Sequence, residues 1–183
     1  MIGFDAVPAG YVARLEEFEV ELLASLVEQV NELLGAGRDA DAGDDPFAQW
    51  EDEFAPSARL DHNDPVVKRL FPDASSDGPL AAEHRRLTEE TLRRERIADG
   101  DQVLDDLAAA HDGRVLVARD HAPAWLRTLN AVRLSLSVRL GVETEADVVA
   151  LQRLPRRDPR FQLGMLFDWL GFVLESLVSA VDE

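Results

Sequence analysis

The sequence predicts a mainly α-helical fold, a helical bundle carrying a small two- or three-stranded antiparallel β-sheet. Two long stretches, 123–140 and 158–181, are apolar around most of a helical wheel, as helices wrapped by neighbours are. A third, 16–34, has one broad apolar face and stops at Gly35. Short extended pieces around Ile2–Phe4 and Tyr11–Leu15, joined across Pro8-Ala9-Gly10, can pair with the β-branched run Arg114–Val117. A length of 183 residues fits one domain spanning 1–183 with a real core.

The first helix sets Leu15, Phe18, Leu22, Leu23, Leu26, Val27, Val30, Leu33 and Leu34 on one side. Its outer side carries Glu17, Glu21, Glu28 and Glu32, two like-charged i,i+4 pairs that oppose the helix by a few tenths of a kcal/mol each. A solvated acidic face is the plain explanation, and a partner surface is the alternative. From about 36 to 57 the chain turns small, acidic and turn-rich, as a flexible loop does. Within it, Asp45-Pro46 followed by Phe47, Trp50 and Phe54 has the cap, proline and i, i+3, i+7 spacing of a short docking helix. Its aromatics either cover the protein's own core or meet another protein.

Asp64-Pro65 opens a short helix through VVKRLF, closed by Pro72 and the turn residues after it. Another begins near Pro79, with Thr88 as an internal cap and Gly100 as a kink point. Its arginines, Arg85, Arg86, Arg93, Arg94 and Arg96, interleave with glutamates as on a solvent-facing, salt-bridged helix. Asp120 is placed to cap the central helix, and Thr144 with Asp147 to start a short one. The loop Arg153, Arg156, Arg157, Arg160 is a small basic patch, suited either to neutralising the acidic first helix or to binding an external anion. Asp158-Pro159 is the expected start of the last helix.

One residue breaks the pattern. On a wheel counted from Trp125, Arg133 lies at about 80°, inside the main apolar face, where a guanidinium needs a partner. Asp168 in the last helix, or failing that Glu175, is the expected partner, with Asn130 hydrogen-bonded to the same carboxylate and Trp125 and Trp169 shielding the pair. A buried ion pair fixing helix register is the plain reading; a substrate site is the alternative.

The charge of −17 disfavours nucleic acid, because phosphate backbones are held by Lys/Arg fields. The absence of cysteine excludes disulfides, thiolate chemistry and Cys-based metal sites. His62, His84, His111 and His121 are scattered with no metal-binding spacing, and no phosphate loop, nucleophile elbow or dinucleotide fingerprint occurs. No catalytic residue, metal or cofactor is therefore assigned. The start of the chain lacks a basic segment and an apolar run, and Asp168 and Glu175 interrupt the last apolar stretch, so a cytoplasmic location and no membrane span are expected.

Three blocks, RLTEETLRR at 86–94, AWLRTLNAVRLSLSVRLGV at 124–142 and DWLGFVLESLV at 168–178, resemble an uncharacterised actinobacterial family. That family is a numbered domain of unknown function whose genes often neighbour the one for the proteolytic adaptor ClpS. The chain departs from its pattern at Ser137, where Gly is usual, and in the aromatic segment 46–54. The resemblance implies no catalytic residue, and its gene neighbourhood implies a link to regulated proteolysis. The leading expectation is a non-enzymatic interaction or regulatory protein whose partner is a protein. The rivals are a winged-helix-like transcriptional regulator using the arginine loop, and an enzyme acting on a small anion near Arg133 and Asp168.

Overall fold

The computed structural model describes residues 2–35, 60–73, 75 and 77–182, with the side chains of 2 and 86 left aside. The acidic segment at 36–57 with Phe47, Trp50 and Phe54 lies outside the described residues. The elements run β1 (Ile2–Val7), β2 (Gly10–Arg14), α1 (Glu17–Leu34), α2 (Pro65–Leu70), α3 (Gly78–Ala108), β3 (Arg114–Val117), α4 (Ala122–Leu140), α5 (Glu145–Gln152) and α6 (Phe161–Val181). The fold is mainly α with a minor three-stranded antiparallel sheet, as the sequence predicts.

The sheet has the order β1-β2-β3, with Ala6 opposite Tyr11, and Tyr11 and Ala13 opposite Val117 and Val115. Strand alternation explains its single buried face: Tyr11, Ala13, Val115 and Val117 point inward while Arg14, Arg114 and Leu116 point out. At the hairpin, Gly10 has φ +148°, and an added Cβ would fall 2.1 Å from the Val117 carbonyl oxygen, so only glycine fits. The edge strand β1 leans on α6. The Phe4 N–H donates to Ser176 Oγ at 3.1 Å, and the Phe4 ring meets Trp125 edge-on, centroids 5.6 Å apart.

Helix α4 is central, packing against α1, α2, α3 and α6. Its fully buried Trp125 and Leu129 continue through Val132, Leu136 and Leu140, and small residues Ala124, Thr128, Ala131 and Ser135 let the neighbours close in. One hydrophobic cluster runs from Phe4 and Leu15 through Leu23, Val103 and Leu129 to Leu170 and Leu177. Helix α6 is long and apolar enough by length and composition to cross a membrane. Its inner line Phe167, Leu170, Val173 and Leu177 is buried, while Met165 and Phe172 are exposed.

Local expectations hold at several ends. Asp64 caps α2 through the Val66 N–H at 2.6 Å, Thr144 and Asp147 form the capping box of α5, and Gly35 closes α1 in the left-handed region at φ 90°. Others need correction. Helix α3 runs without interruption: the Thr88 hydroxyl donates back to the His84 carbonyl at 2.9 Å instead of capping a new start. His121, not Asp120, occupies the N-cap position of α4. Asp158 accepts the Arg160 N–H within the preceding turn, so α6 begins three residues later than Asp158. The α1 apolar face is narrower than expected, with Phe18 at 60% exposure and Leu22 also exposed.

Candidate functional site

Three groups of side chains stand out from the packing. The first is centred on Arg133, and here the expected ion pair is absent. Its guanidinium lies over the Phe167 ring, 4.5 Å from the centroid, and its Nε is buried without a hydrogen-bond acceptor. Asp168 is exposed and accepts from Gln152 Nε2 at 3.2 Å; Glu175 and Asn130 are also exposed. The reason is rotational. On α6, Asp168 is turned 100° from Phe167 whereas Gly171 is turned only about 40° from it, and the line carrying Phe167 and Gly171 faces α4 while Asp168 is exposed. Gly171 leaves room there: a Cβ would sit 3.6 Å from Arg133 Nε. The tryptophans serve elsewhere. Trp125 donates to Asp106, and Trp169 Nε1 donates to Glu19 Oε1 at 3.2 Å.

Arg133 opens onto a cleft of about 150 Å³ between α2, α4, α6 and the start of α5, lined by Arg69, Arg133, Ser137, Glu143, Thr144 and Phe167. The Thr144 hydroxyl and its N–H are both held by Asp147 Oδ2 at 2.8 Å, an arrangement that keeps the Asp147 carboxyl below its usual range.

The second group is a polar network that sequence reasoning missed. Asp106 on α3 receives the Trp125 indole N–H at 2.8 Å and faces His121 Nδ1 at 3.0 Å, with Gln102 Nε2 at 3.4 Å. His121 and Trp125 are one helical turn apart, which is why one carboxylate meets both. The signal was an i,i+4 His/Trp pair at the head of an apolar helix; its acceptor lies on another helix and has no local signature. Among the described residues no hydroxyl is hydrogen-bonded to His121, so the network ties α3 to α4 and assembles no nucleophile.

The third group is the outer side of α1. Glu17, Glu21, Glu28 and Glu32 are all exposed, and among the described residues no ion pair reaches them. On a helical wheel the four fall within about 60° of one another, with Phe18 and Leu22 on the adjoining strip. The expected neutralisation by the arginine loop is not found. Arg153, Arg156, Arg157 and Arg160 are exposed, and the ion pair formed there is Arg160 with Asp158, which holds the Asp158 carboxyl below its usual range. Among the described residues no group of three or more His, Asp or Glu side chains is placed to hold a metal.

These features define a helical protein with a small sheet, an exposed acidic helix and no assembled catalytic constellation among the described residues. The chain belongs to the family described as "Domain of unknown function (DUF2017)", which matches residues 1–181. A Mycobacterium leprae protein named "Putative oxidative stress regulator AosR" is 31% identical over 132 residues, covering 64% of this chain and 58% of that relative. The match thus spans a little over half of the relative's length. No solved structure matches.

Proposed function

We propose that this protein is a non-enzymatic regulatory module that works by binding another protein through α1. The observation that carries this reading is the glutamate stripe beside exposed Phe18 and Leu22. Four like charges in a line oppose helix formation and form no ion pair among the described residues, which leaves them free to answer cations of a partner. An apolar strip flanked by carboxylates suits a basic amphipathic segment, whose apolar side chains cover Phe18 and Leu22 while its Lys or Arg residues answer the stripe. The relative's printed name supports a regulatory role. Without cysteine, this chain has no thiol–disulfide switch of its own. Regulated proteolysis, the setting that the resembled family's gene neighbourhood suggests, is one place to look for that partner.

The test replaces Glu17, Glu21, Glu28 and Glu32 by Gln. The helix should be as stable or slightly more so, while a partner captured by the wild type should dissociate about tenfold more readily and show a weaker salt dependence. Retention of the same partners at the same affinity would refute the reading. Deleting 39–54 in parallel asks whether the aromatic segment shares the surface.

The arginine loop does not favour the winged-helix alternative. Among the described residues β3, the strand that follows α3, pairs with β2 of the β1–β2 hairpin instead of opening a wing hairpin after a recognition helix. The one helix reached from α4 through a short Gly-containing turn, α5, carries Glu145 and Asp147 and no cation.

A further inference from the structure

We infer that the cleft beside Arg133 is a binding site for a small oxyanion, a phosphate or a carboxylate, held between Arg133 of α4 and Arg69 of α2. Several arginines lack a carboxylate partner among the described residues, but most of them are exposed, whereas Arg133 is half-buried and its Nε is fully buried. Two such groups line this one cleft, and neither has an ion pair or hydrogen bond to the protein among the described residues. Arg133 is also oriented. Phe167 takes one face of its guanidinium, and the buried Nε is turned toward the Gly171 backbone line, so the planar group is held with its terminal nitrogens as the only ones left to bond. A planar fork fixed in this way matches the geometry of a carboxylate or phosphate edge, and Arg69, which is exposed and lines the same cleft, supplies a second cation. The cleft volume of about 150 Å³ suits inorganic phosphate or a dicarboxylate of a few carbons and is below what drug-sized ligands fill.

Glu143 lines the same cleft and supplies the selectivity. Its carboxylate adds negative charge to the lining, which opposes a highly charged anion. The site lies apart from the α1 stripe and is independent of the partner proposed above; binding is measured on the isolated protein.

The experiment is calorimetric titration of the full chain with inorganic phosphate, sulfate and malonate at constant ionic strength, chloride serving as the reference. Saturable one-to-one binding of at least one probe is expected, weakened about tenfold or more by Arg133→Met and by Arg69→Met, and strengthened several-fold by Glu143→Gln. Arg133→Lys keeps the charge but not the fork and should also lose most of the affinity. Arg156→Gln/Arg157→Gln, in the exposed loop, should leave it unchanged. Arg69 is on the surface, so that variant folds and gives a clear answer even if Arg133→Met does not. Heats matching chloride for all three probes would overturn the proposal. So would wild-type affinity in both Arg→Met variants, or loss of binding only in the loop variant.

Discussion

Gly100 makes the residue scale concrete, because the general rule and this structure predict opposite signs. Replacing a mid-helix glycine by alanine ordinarily stabilises by about 1 kcal/mol. At Gly100 of α3, however, an added Cβ would lie 2.3 Å from Asn31 Oδ1 and 2.8 Å from its Cγ. Asn31 cannot readily yield, since it is 5% exposed and donates from Nδ2 to Asp101 Oδ1 at 2.9 Å. Gly100→Ala should therefore destabilise by about 1–3 kcal/mol, read as a lower denaturant midpoint with unchanged slope. A stabilised variant would mean that α1 and α3 are not in contact there. The sequence marks Gly100 as a kink point, whereas the structure uses it as the place where two helices approach closely. A lone glycine is compatible with either use, because the cause lies on the facing helix.

Arg93 is the same kind of residue. It is read from the sequence as part of a solvent-facing charged row, yet it is 4% exposed; its Nη1 donates to the Leu34 carbonyl at 2.9 Å, closing the C-terminus of α1, and its Nη2 donates to Glu90 at 2.9 Å. That hydrogen bond, helped by the charges of Arg93 and Arg94 and opposed by burial, holds the Glu90 carboxyl below its ordinary value of 4.5. A carboxyl lowered in the folded state contributes its full stabilisation above the unfolded value and loses it as the pH falls through the folded one. Wild type and Glu90→Gln should then differ by no more than about 1 kcal/mol at neutral pH, the pair being partly exposed, and converge as the pH is taken below 4.5. Thermal melts of both proteins between neutral and acidic pH check this; a gap that widens toward acid would contradict the pairing.

At the scale of elements, periodicity located the helices well because burial on one side of a helix writes itself into the sequence at fixed spacing. The ends of α1, α2 and α5 were legible for a similar reason, since caps are local chemistry. What periodicity leaves undetermined is the rotation of one helix against another, and the Arg133 assignment turned on that. The apolar face was correctly located; the partner was displaced by one residue, from Asp168 to Phe167, which is a 100° turn of α6. A double-mutant cycle separates the two arrangements. Arg133→Met combined with Asp168→Asn should show a coupling indistinguishable from zero, and each single change should alter stability by no more than about 0.5 kcal/mol. The first of them also removes a buried N–H that has no acceptor, so its sign should be neutral or favourable. A coupling above about 1 kcal/mol would restore the ion pair. The Asp106 network was illegible for a different reason. Its three members sit 15 and 19 positions apart across a strand and two helices, and in so acidic a chain no single Asp stands out.

At the scale of the whole molecule, the small sheet is the feature whose role is least obvious from its size. The N-terminal hairpin could be an appendage, as terminal pieces often are. Its contacts argue otherwise. Phe4 is 6% exposed and meets the edge of Trp125, Tyr11 and Ala13 are buried opposite Val117 and Val115, and the Leu15 N–H donates to the Gly113 carbonyl at 2.9 Å. The hairpin therefore covers the N-terminal end of α4, the helix that α1, α2, α3 and α6 pack against, and ties it to α6 through Phe4 and Ser176. If the core is one cooperative unit, removing residues 2–14 should not trim the protein; it should unfold it. Burying a Phe and a Tyr contributes several kcal/mol in total, comparable to the 5–15 kcal/mol by which whole domains are stable. The expected result is a truncated chain with loss of cooperative thermal unfolding and of amide protection in α4 and α6, regions far in sequence from the deletion. Protection that survived in α4 and α6 would show that the helices form a self-sufficient bundle, and that 1–183 is built from separable parts instead of one core.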